Sequence, residues 1–238
     1  MWPGAMILAL PLFLAVPLIL AGCEGHEAKV EPIPARPEEV VDFPTLYGTN
    51  CAACHGATGH GGPAMELGNP EYQALVDDAT LRKWISGGMP GTEMPAFAQS
   101  AGGMLTDAQV NALIAGMRKE WARPDVFAGA TPPAYAQPAG GDGKRGQATY
   151  QARCSGCHQE PSREQVTSAA YLSLVSDQAL RTVIIAGRTD IGQPDWRLAG
   201  AKTASAPLSG QDVTDIVTYL GSLRNPSSVS AAPQGRSQ

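Results

Sequence analysis

The chain has 238 residues, enough for one large domain or two small ones. Its formal charge of −5 and the absence of any basic run argue against nucleic acid as a partner. Apolar residues make up 43% of the chain but aromatics only 6%, so bulky side chains are too few to fill large interiors unaided.

From Met1 to Gly22 no side chain is charged, and Ile7 to Leu20 is almost continuously apolar. That run has the length of a signal-peptide core and falls short of the roughly 20 residues of a membrane span. Pro3, Pro11 and Pro17 also fit poorly in one uninterrupted helix. Leu20-Ala21-Gly22-Cys23 resembles the bacterial lipoprotein box, which implies a signal peptide over residues 1–22 and a lipid on the Cys23 sulfur. No Lys or Arg precedes the apolar core, so an uncleaved anchor helix stays open as the alternative. Both readings place the rest of the chain outside the cytoplasm and tethered. The expected location is the periplasmic or extracytoplasmic face of a bacterial membrane.

Residues 23–42 are acidic and Pro-rich, a semi-extended spacer. A first compact segment, 43–122, follows, then a Pro/Gly/Ala-rich linker at 123–142. A second compact segment spans 143–224, and the tail 225–238 has little to bury. Helices are expected at 43–50 and 146–153, and again at 79–86 and 178–186. Closing helices start at Thr106 and Ser209, each an N-cap with Gln109 or Asp212 in the capping-box position. Val110, Leu113, Ile114 and Met117 then recur at helical spacing, as do Val213, Ile216, Val217 and Leu220.

Each segment carries Cys-x-x-Cys-His: Cys51, Cys54 and His55, then Cys154, Cys157 and His158. This is the c-type haem attachment spacing, with two sulfurs for the vinyl groups and a histidine carried to the iron. A redox dithiol or half of a zinc site uses similar pairs. Two copies in an exported chain, each followed by His, favour two covalent haem c groups. With Cys23 counted, all five cysteines have a role.

The segments are copies of one unit. Tyr47 and Tyr150 each stand four residues before the first haem cysteine. Tyr72, Leu81-Arg82, Gly88, Pro95 and Phe97 fall on Tyr171, Leu180-Arg181, Gly187, Pro194 and Trp196 at an offset of 99. The cysteines and the closing helices are offset by 103, so two loops differ by four residues, around Gly59–Gly62 and Gly200–Ala206.

With these residues in hand, the sequence resembles a di-haem member of the class I cytochromes c. The resemblance implies an all-α fold of two tandem helical haem domains. It also implies a distal methionine, often in a Met-Pro pair. Met94 in Glu93-Met94-Pro95 matches that pattern, and Met89, also followed by proline, is the alternative. The second copy has Gln193 where Met94 stands, and no methionine occurs after Met117. Gln193 through its amide oxygen, an open or water-bound site, and Lys202 remain three candidates for the second haem's distal side. His60 reads as part of a glycine-rich turn, His26 as a solvated spacer residue, and Phe97 and Trp196 as packing against haem.

The leading expectation is a membrane-tethered electron carrier between a quinol-oxidising complex and a terminal oxidase or photosynthetic reaction centre, either as shuttle or as fixed subunit. The alternative is a small di-haem peroxidase or nitrogen-oxide-reactive enzyme with an open second haem, which Arg188 and Arg197 would flank. A gas or redox sensor is a weaker reading, since no output domain is attached. The first segment has seven acidic against four basic residues and the second nine basic against seven acidic, a dipolar arrangement suited to docking.

Overall fold

The computed structural model describes residues 35–158, 164–199 and 206–224. The expected signal peptide, Cys23, His26, Lys202 and the tail lie outside them. Among the described residues the chain is all-α, with no strand and only two isolated bridges, Ala98 to Leu105 and Arg188 to Gln193. No described helix is long and apolar enough to cross a membrane.

The first repeat contains α1 (Phe43–Asn50), α2 (Ala52–His55), α3 (Pro70–Leu75), α4 (Asp78–Gly87) and α5 (Asp107–Trp121). The second contains α6 (Gly143–Arg153), α7 (Ser155–His158), α8 (Ala169–Ser173), α9 (Asp177–Ala186) and α10 (Gly210–Ser222). Local chemistry starts most of them. Asp42, Asn69, Asp77, Thr106, Ser168, Ser176 and Ser209 each accept a backbone N–H of the first helical turn, satisfying donors that have no partner inside the helix. Both expected capping boxes form, at Thr106/Gln109 and Ser209/Asp212. Buried Gln109 also donates to the Pro37 and Val40 carbonyls at 2.8 and 3.0 Å, pinning the end of the acidic spacer to the first repeat.

In each repeat the entry helix crosses the closing helix, α1 on α5 and α6 on α10. The two crossings place their close-approach glycine on opposite helices. Phe43 on α1 lies against Gly116 on α5, where a Cβ would meet the ring at 2.1 Å. At the equivalent positions of the second repeat the glycine is on α6 and the aromatic on α10. A Cβ on Gly146 would meet the Asp215 carbonyl at 1.9 Å, so α6 approaches the α10 backbone itself, while Tyr219 packs on Tyr150 at 5.6 Å. A glycine admits the close approach in both repeats, against a ring in the first and against backbone in the second.

Residues 123–142, read as a linker, are packed along both repeats. Buried Arg181 donates to the Ala134 carbonyl at 2.8 Å, Arg197 donates to the Val126 carbonyl at 2.9 Å, and Phe127 meets Trp196 edge-on at 5.2 Å. Tyr135 Oη accepts from Trp84 Nε1 of the first repeat at 3.0 Å while its carbonyl accepts from Gln178 of the second at 2.7 Å. A segment poor in side chains offers mainly carbonyls, and the long polar side chains of the second repeat reach them.

The repeats also meet directly. Leu75 touches both hydrophobic cores, and Ala186 belongs to the first core although it closes α9 of the second repeat. Around this contact Asn69 Nδ2 donates to the Ala186 carbonyl at 3.2 Å, and Gly61 N donates to Asp190 at 3.0 Å. Arg188 reaches the Gly62 and Ala64 carbonyls at 3.3 Å each.

Candidate functional site

Both attachment motifs adopt one backbone. Each entry helix ends at its first haem cysteine, Cys51 at φ −119°, ψ −36° and Cys154 at φ −118°, ψ −37°. A short second helix then runs to the histidine. His55 N donates to the Cys51 carbonyl at 3.0 Å and His158 N to the Cys154 carbonyl at 3.1 Å. One helical turn therefore carries two sulfurs and a histidine in each repeat, the arrangement that double thioether attachment requires. In each motif the first cysteine is half-buried and the second exposed. Burial, and then the neighbouring Cys54, push the Cys51 thiol up to about 11; burial does the same to Cys154.

His55 is set for metal binding. Its Nδ1 donates to the Met65 carbonyl at 2.7 Å, which fixes the tautomer and leaves Nε2 with a lone pair. Burial holds its pKa below the ordinary value, favouring the neutral ring that a metal needs. The entry helices hold a further marker. Tyr47 Oη donates to the Gly56 carbonyl at 2.9 Å, whereas the buried Tyr150 Oη has no partner among the described residues. A buried hydroxyl without a partner is costly, and next to Cys154 it marks a face where a group with polar edges fits.

On the distal side, Met94 packs against the first core together with Cys51 and Met65. Met89 turns elsewhere: Ser176 Oγ of the second repeat lies 3.8 Å from its Sδ, and it lines an open cavity of about 410 Å³ with Trp84, Ser176 and Gln178. Gln193 occupies the place of Met94. Met89 N donates to the Met94 carbonyl at 3.1 Å, and Arg188 N to the Gln193 carbonyl at 3.0 Å. Gly88 at φ +71° and Gly187 at φ +77° press against the same two stretches, where a Cβ would come within 2.8 and 2.7 Å of the Met94 and Gln193 carbonyls. Positive φ and close backbone approach together require glycine at both.

The Gln193 amide is half committed, its Nε2 donating to the Val183 carbonyl at 3.0 Å. Its Oε1 is the atom left for another partner. Arg188 and Arg197 are engaged elsewhere: Arg188 pairs with Asp190 at 2.7 Å and reaches the first repeat, and Arg197 pairs with Asp195 at 2.6 Å and Glu71 at 3.2 Å. His60 is bonded to Glu66 at 2.6 Å, in the turn that sequence suggested. Trp196 packs edge-on against Phe127, with the Arg197 guanidinium 5.1 Å from its ring centre. The contact between repeats through Glu66, Thr189 and Asp190 carries no signal in the sequence, because its partners lie more than 120 residues apart.

Comparison with known families agrees with this geometry. The family described as Cytochrome C oxidase, cbb3-type, subunit III matches residues 39–115, and the family described as Cytochrome c matches residues 143–224. The chain is a di-haem cytochrome of the class I c type. No curated protein gives a significant match. Two cytochrome c domains bring two covalently bound haem c groups, with Cys51/Cys54 and Cys154/Cys157 as the attachment pairs. The cytochrome is accordingly an electron-transfer haem protein. Its scarcity of aromatic side chains fits a fold whose interiors are partly built by the cofactor.

Proposed function

We propose that this cytochrome is a membrane-tethered electron conduit on the extracytoplasmic face of a bacterial membrane. It receives electrons from a quinol-oxidising complex and delivers them to a terminal acceptor, as a fixed subunit of an oxidoreductase complex. The observation that carries this reading is the placement of two attachment sites in repeats interlocked by hydrogen bonds and a shared core. The family description matched by the first repeat, subunit III of a cbb3-type oxidase, supports the fixed-subunit form. Cys23 and the uncharged apolar segment before it support the tether.

A bound haem c supplies one-electron exchange at its iron, and the protein sets the potential. In the first repeat His55 Nε2 and Met94 Sδ would hold the iron. The Met65 carbonyl orients the imidazole, and Met94 packs partly buried against the first core. A thioether raises the potential, so this site is the high-potential one. In the second repeat His158 would hold the iron, with Gln193 Oε1 as the donor in place of the methionine. An amide oxygen is a harder, weaker donor that favours the ferric state.

Gln193 also favours a second reading, in which the distal position admits a small molecule and the protein reacts with peroxide or nitrogen oxides. That chemistry needs positioned charge or proton donors over the site, and both nearby arginines already hold carboxylates. Electron transfer is the better-supported function.

Met94→Ala tests the assignment. The first haem's potential is expected to fall by more than about 60 mV, a tenfold change in its one-electron equilibrium. Both haems stay attached, and the second potential hardly moves. Two unchanged potentials would refute Met94 as ligand.

A further inference from the structure

The Glu66 carboxylate is buried, 1% exposed, and it is held from both repeats. His60 Nδ1 donates to it at 2.6 Å and Asn69 Nδ2 at 3.4 Å from the first repeat. From the second, Thr189 donates twice, through N at 2.9 Å and Oγ1 at 2.8 Å. Burying a carboxylate costs several kcal/mol unless its oxygens are well satisfied. An apolar residue here would be far cheaper for packing alone.

What Thr189 belongs to gives the carboxylate its purpose. It opens the 3-10 turn Thr189–Ile191, which closes through Gly192 at φ +78° onto Gln193. Arg188 and Gln193 clasp the two ends of that turn with backbone bonds of 3.0 and 2.9 Å. Holding Thr189 therefore holds the backbone that presents Gln193, while the Val183 carbonyl holds its amide nitrogen. On the other side, Glu66 follows Met65, whose carbonyl orients His55. One dipeptide thus serves both sites, with the Met65 backbone on the proximal histidine of the first and the Glu66 side chain on the distal turn of the second.

We propose that Glu66 is a positioning residue for Gln193, so that the distal side of the second haem is set from the first repeat. This rests on the reading above that Gln193 Oε1 faces the second iron. Loss of the carboxylate frees the turn, and Gln193 gives way more readily to an incoming ligand.

The test uses the full-length protein carrying both haems, reduced with dithionite, and follows the rate of carbon monoxide binding at the second haem. Glu66→Ala is expected to raise that rate about fivefold, the effect of losing both of its hydrogen bonds with Thr189. Glu66→Gln, whose amide oxygen still accepts from Thr189 N, stays within about twofold of the parent. The absorption of the Met94 haem is unchanged in both. Gln193→Ala serves as control and is expected to raise the rate at least as much. If Gln193→Ala responds and Glu66→Ala does not, the positioning role is wrong while the placement of Gln193 stands. If neither responds, the placement of Gln193 fails and the proposal with it. Should Glu66→Ala not fold, exposed Thr189→Ala removes one of the two donors. It is expected to give about a twofold rise, and no rise beside a responding Gln193→Ala overturns the positioning role.

Discussion

Gln193 and Met94 share a register, a supporting glycine and a closing backbone bond, yet one offers an amide and the other a thioether. The difference is confined to the donor atom, so exchanging it should exchange the property. Gln193→Met is expected to raise the second haem's potential by more than about 60 mV in a redox titration. An unchanged value would mean that this side chain does not reach the iron. The substitution was legible in the sequence because the repeats align without a gap from Tyr72 to Phe97, and a duplicated motif exposes a replaced ligand. The choice between Met94 and Met89 was not legible, since both precede proline. In the fold Met94 packs on the first core, whereas Met89 lies against Ser176 of the second repeat.

Among the elements, the closing helices α5 and α10 are announced by signals within four residues of their starts, and both capping boxes are in place. Such signals are local, which is why sequence carries them. Thr106→Ala and Ser209→Ala are each expected to cost about 1 kcal/mol in denaturant unfolding of the holoprotein. Thr106→Ala should cost more, because Gln109, once unclasped, also loses its hold on the Pro37 and Val40 carbonyls. Equal losses would show that the spacer contact adds nothing. The exchange of Phe43 and Gly116 for Gly146 and Tyr219 escaped sequence reading. Neither glycine is unusual alone; only the crossing of two helices shows what each lets in, the Phe43 ring at Gly116 and the α10 backbone at Gly146.

For the whole molecule, the decisive feature is that two repeats separated by a Pro- and Gly-rich segment are joined as one unit. Arg188 and Asp190 anchor the joint with side chains largely shielded from water. Removing one member of such a pair strands the other. Arg188→Ala is therefore expected to destabilise the holoprotein by about 3 kcal/mol, and the double change with Asp190→Ala by less. A double variant no more stable than the single one would contradict this. Arg188 holds the Asp190 carboxyl well below the usual range. Its contribution is thus complete above the unfolded value near 4 and is lost as pH falls through the lower folded value.

The joined molecule holds two unlike haem sites, and carbon monoxide reads the difference most directly. In the dithionite-reduced protein, with haem content measured alongside, carbon monoxide is expected to bind one haem of the two. That haem is the one lost when Cys154 and Cys157 are both replaced. Binding at neither haem would show a firm sixth ligand on the second iron, and binding at both would remove Met94 from the first.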